Sequence, residues 1–116
     1  MTYPSRGLNK VMIIGWLDAE PDLRYTPGGR AVVSFSVGTA QPWQPPAADE
    51  PDAAEWFNVV AWGSLAERCG QELAEGQQVY VEGRLQTRSW EDGLGRKHFR
   101  TEVVANEVIL LAMSHS

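Results

Sequence analysis

The chain has 116 residues, 43% hydrophobic and 22% charged, with 15 acidic against 10 basic residues and a net charge of −5. This is one domain's length with globular composition, which excludes a largely disordered chain. One cysteine excludes a disulfide framework and a cysteine-built zinc site, and no apolar run suits an export signal or a membrane helix, so a cytoplasmic protein is expected.

Residues 8–17 (LNKVMIIGWL) are predicted as a first strand, apolar on both faces and so covered on both sides. Pro27-Gly28-Gly29 marks a turn. Ala31–Thr39 alternates strictly, with Val33, Phe35 and Val37 on a core face and Ser34, Ser36 and Gly38 on a small-residue face. Residues 41–54 hold four prolines and three acids, which predicts a long exposed loop. Glu55–Trp62 (EWFNVVAW) is the third strand. Phe57, Val59 and Ala61 form its core face; Trp56, Asn58, Val60 and Trp62 share the other. Residues 64–74 predict a short helix, with Ser64 as N-cap, Glu67 as its capping-box partner, and Leu65, Cys69 and Leu73 on the buried side. Cys69 is read as a structural thiol. A fourth strand over 78–90 carries Val79, Val81, Gly83 and Leu85 inward. A hairpin centred on Asp92-Gly93 leads to a fifth strand over 97–111. Residues 112–116 are expected to fray, leaving 1–111 as the domain. The fold class is therefore all-β with one short helix. The order β-β-β-α-β-β is that of the OB-fold, a five-stranded Greek-key barrel.

Five tryptophans are more than so small a core needs. Trp56, Trp62 and Trp90 fall on outward parities, and Trp43 lies at the root of the proline-rich loop. Arg84 and Arg88 share the parity of Trp90. Aromatic rings interleaved with guanidinium groups suit unpaired bases, which stack on indoles at about 1–3 kcal/mol per base without regard to sequence. The acidic net charge argues against a polyanion partner. The acids, however, gather at Asp49, Glu50, Asp52 and Glu55 and along the helix at Glu67, Glu72 and Glu75, so the binding face need not be negative.

Taken together, LNKVMIIGWL, LRYTPGGRAVVSFSVGT, EWFNVVAWGSLAE and the stretch from GQQVYVEG through TRSWEDGLGR resemble the bacterial single-stranded DNA-binding (SSB) proteins over about residues 6–111. The resemblance implies sequence-independent coating and protection of single-stranded DNA in replication, recombination and repair, by a cytoplasmic, nucleoid-associated homotetramer, with a dimer as runner-up. It places base stacking on Trp43, Trp56, Trp62 and Trp90, and phosphate contacts on Arg6, Lys10, Arg24, Arg84 and Arg88. Trp16 stands where the family often has Asn and is assigned to packing or a subunit interface. Asn58, Ser64 and Glu75 stand where family members often carry a basic residue, so a shallow salt dependence is expected. The chain stops at AMSHS without the acidic tail typical of the family, so recruitment of enzymes through such a tail is not assigned to it. No metal, cofactor or catalytic grouping is expected: His98 and His115 are the only histidines, with no triad or metal-ligand spacing. The runner-up is a protein-interaction module on the same fold, of the primosomal PriB type, with weak DNA binding.

Overall fold

The computed structural model describes residues 7–40 and 54–113. Its elements are β1 (Val11–Leu17), β2 (Asp22–Tyr25), β3 (Ala31–Thr39), β4 (Glu55–Trp62), α1 (Ser64–Glu72), β5 (Gln77–Glu91) and β6 (Lys97–Met113). The strands form one sheet in the order β1-β5-β6-β4-β3-β2, and β1 also pairs with β3. That last pairing closes β1, β5, β6, β4 and β3 into a ring. The β4–β6 contact is parallel and the others are antiparallel. This is the OB-fold that the element order predicts.

Alternation decides what the barrel encloses. Val33 and Val37 of β3, Val59 and Ala61 of β4, Val79 and Val81 of β5, and Val103 and Val108 of β6 are buried. Leu17 of β1 and Ala66, Cys69 and Leu73 of the helical segment join this cluster, with Phe35 of β3 beside them. Burial pushes the Cys69 thiol up to about 11, as suits a structural cysteine.

Four local expectations are corrected. DLRY forms a strand of its own, β2, pairing with β3 outside the ring; four residues without apolar alternation gave no period to read. The helix has Gly63 as its N-cap with no side-chain cap bond, so Ser64 is its first residue and the capping box does not form. Glu67 instead accepts a hydrogen bond from the Tyr25 hydroxyl at 3.2 Å. Leu85 shares the parity of Val79 and Val81 yet is exposed. The β5–β6 register shifts between Glu82 and Gly83, and from Arg84 onward every β5 residue is exposed. Beyond this bulge β6 is still part of the ring at Val103, which pairs with Leu85 on one side and Val59 on the other, so Leu85 lies at the rim of the barrel, and past it the two strands continue as a ribbon.

Both hairpins close on the same turn. Gly29 N–H donates to the Thr26 carbonyl and Thr26 N–H to the Arg30 carbonyl, while Gly95 N–H donates to the Asp92 carbonyl and Asp92 N–H to the Arg96 carbonyl. Gly29 (φ 86°) and Gly95 (φ 77°) take the left-handed conformation that closes a three-residue loop. The second hairpin is therefore centred on Gly93-Leu94 rather than on Asp92-Gly93.

Candidate nucleic-acid interface

The outer face of β4 carries the row read from the sequence. Trp56, Asn58, Val60 and Trp62 lie opposite Gly38, Ser36, Ser34 and Val32 of β3. The small-residue face of β3 thus runs beside the tryptophan face of β4, and large rings can lie across it. Trp56 and Trp62 are 42% and 36% exposed, so neither is absorbed into the core. Six residues of strand put them about 20 Å apart. Trp90, 44% exposed, stands near the end of the ribbon. Val60, on the same face, is buried and lines a groove beside Trp62.

That groove collects the cations. Arg24, Arg88 and Arg100 line it together with Trp62, Ser34 and Val104. Each arginine has an acid beside it: Arg24 Nε lies 3.0 Å from Asp22, and Arg88 and Arg100 reach the two oxygens of buried Glu102 at 3.7 and 3.9 Å. Where the groove continues past Ser34 and Asn58, Asp18 and Glu20 join its wall. The face is therefore mixed in charge rather than clear of acids.

The remaining sequence-derived residues divide. Arg84 sits on β5 and donates to Gln86 at 3.3 Å. Arg88 reaches toward Trp90, its guanidinium 5.9 Å from the ring centroid. Lys10 pairs with Glu82 at 3.6 Å, on the β5 side of the barrel rather than in the arginine-lined groove. Trp43 and Arg6 lie outside the described residues. Two cations belong to the site without having been singled out. Arg100 faces Arg88 in the β5–β6 register, and the Arg30 guanidinium lies 4.6 Å over the Trp62 ring. Arg30 precedes a strand whose second residue pairs with Trp62, and that register was the available signal.

The single-strand binding protein family model matches residues 8–111, nearly the whole barrel and ribbon. The chain belongs to this family. It is also 44% identical over 113 residues to a Chlorobaculum tepidum protein named Single-stranded DNA-binding protein 1, covering 97% of this chain and 70% of that one.

In this member of the family the ribbon tip is tied by one carboxylate. Asp92 accepts hydrogen bonds from the N–H groups of Leu94 and Arg96 and from Arg96 Nε, and lies 2.8 Å from His98 Nε2. His98 in turn stacks on Trp90, with centroids 5.5 Å apart and planes at 18°. The His98 contact first, then the Arg96 N–H, hold the Asp92 carboxyl below its ordinary range. A depressed carboxyl stabilises the folded turn above the ordinary aspartate range, near about 4, and that contribution is lost as pH falls through the lower folded value. The tip is thus expected to hold from neutrality down to about pH 4 and to loosen only in stronger acid. NMR of the Gly95 amide against pH should show this, and Asp92→Asn should remove the acid step. An acid step that survives Asp92→Asn would contradict the assignment.

Proposed function

We propose that this chain binds single-stranded DNA without sequence preference, stacking bases on Trp56, Trp62 and Trp90 and drawing phosphates to Arg24, Arg84 and Arg88, with Arg30 and Arg100 beside them. Trp43, Arg6 and Lys10 are assigned to the same path by motif. The observation that carries this reading is the outward tryptophan row of β4 beside an arginine-lined groove. Rings left half in solvent on an outer barrel face have a use that core packing does not supply. Family membership favours this over the interaction-module alternative. The protein acts as a binding protein rather than an enzyme. We assign it to protecting single strands in replication, recombination and repair in the cytoplasm, as a homotetramer whose domain spans 1–111.

The paired cations set how binding responds to salt. For single strands, log K falls with log salt by about 0.7 per phosphate neutralised. Arg24, Arg88 and Arg100 already have acids beside them, so they neutralise fewer phosphates and release fewer of the ions condensed on the DNA than unpaired cations would. Titrating intrinsic tryptophan fluorescence with oligo(dT) at several salt concentrations should give deep quenching and a slope shallower than that of a family member with a basic residue at the Asn58, Ser64 or Glu75 position. A slope as steep as that relative's would remove the paired-cation account. Absence of quenching at low salt would remove the DNA reading itself.

A further inference from the structure

We propose that Trp16 is a positioning residue for the stacking ring of Trp56, acting across Gly38; the inference rests on the DNA reading above. The three residues form one row over neighbouring strands, Trp16 of β1 opposite Gly38 of β3 and Gly38 opposite Trp56 of β4. A Cβ at Gly38 would stand 2.6 Å from Cζ3 and 2.8 Å from Cη2 of Trp56. The benzene half of the indole therefore occupies the space a side chain would take. Trp16 meets the same ring from the side, centroids 5.9 Å apart and planes at 77°, the edge-to-face arrangement that aromatic quadrupoles favour.

Neither indole belongs to the hydrophobic core cluster, so core packing does not account for the pair. Trp56 keeps 42% of its surface open while its position is set by the Gly38 backbone and by Trp16. A stacking ring that already holds one orientation loses less side-chain freedom when a base arrives. Trp16 thus strengthens binding through Trp56 and needs no contact with DNA of its own.

The test is a double-mutant cycle on oligo(dT) affinity. Trp16→Ala is expected to weaken binding about three- to tenfold. In a Trp56→Ala background the same change should cost little more. Trp16→Phe, which keeps an edge to offer, should restore most of the loss. Gly38→Ala retains both indoles but pushes the Trp56 ring aside, so it should reproduce the Trp16→Ala loss even if Trp16→Ala folds poorly. Both changes should also abolish the far-ultraviolet exciton couplet of the coupled indoles. An equal loss from Trp16→Ala with and without Trp56 would make Trp16 an independent contact and overturn the proposal. If the unsubstituted chain binds no oligo(dT), the DNA reading fails. If it binds and Trp62→Ala weakens it while Trp16→Ala and Gly38→Ala do not, the positioning inference alone fails.

Discussion

Trp62→Ala is expected to weaken oligo(dT) binding by roughly fivefold to a hundredfold, the loss of one stacked base at about 1–3 kcal/mol. The ring is outside the core and the β4 residues behind it, Val59 and Ala61, are fully buried without its help, so the variant should fold and melt near the parent. Trp56→Ala should cost a similar factor. The two rings stand about 20 Å apart along β4, so the double variant should show close to the product of the two losses. Trp62→Phe should recover much of the Trp62 loss, because a smaller ring still stacks and still offers a face to Arg30. Fluorescence anisotropy of a labelled oligo(dT) reads all four variants. Near-parental binding by the double variant would put the DNA path elsewhere on the barrel.

The strands that carry this face were legible because their two sides differ in kind. In β3, Val33, Phe35 and Val37 alternate with Ser34, Ser36 and Gly38, and in β4 Phe57, Val59 and Ala61 alternate with Trp56, Asn58, Val60 and Trp62. A period of two with contrasting faces needs no tertiary information. Legibility ended where the third dimension decides. Leu85 has the parity of the core residues before it, but whether that side is interior depends on where the barrel stops, and the bulge at Gly83 lies between. The Gly63 cap defeated the capping-box reading because Gly63 and Ser64 both suit a helix start, and only the backbone distinguishes them. Charge pairing was the least visible feature. Glu102 reads as one acid in a long strand, and its place between Arg88 and Arg100 follows from ribbon register and burial.

Ile14→Asp is expected to take the assembly apart. In β1, Met12 and Ile14 are 63% and 57% exposed, and the register runs Ile14 to Tyr80 of β5 and on to Ile109 of β6, itself 45% exposed. An apolar row across three strands is more than scattered surface residues provide, and it suits the subunit contact that the proposed homotetramer requires. The rim is polar: Tyr80 donates to Glu82 at 2.7 Å and Lys10 lies 3.6 Å from the same carboxylate. The edge supports the same conclusion. Among the described residues, β1 pairs with β3 only at Trp16 and Leu17, so the stretch from Val11 to Ile14 has β5 on one side and no strand on the other. An open edge beside an apolar face is what a second copy would cover. Across a two-fold interface each residue is present twice, so Ile14→Asp places two unpaired carboxylates in the buried patch, each costing several kcal/mol. At about 1.4 kcal/mol per tenfold, that is enough to make a micromolar assembly dissociate. Light scattering should then report a tetramer for the parent and a dimer for the variant, with the barrel core intact by circular dichroism. Each dimer would keep its tryptophan rows and still quench with oligo(dT), but over a shorter stretch of DNA per particle. A parent already monomeric at micromolar concentration would leave the Ile14–Tyr80–Ile109 row without a second copy to cover it, and the tetramer would be withdrawn.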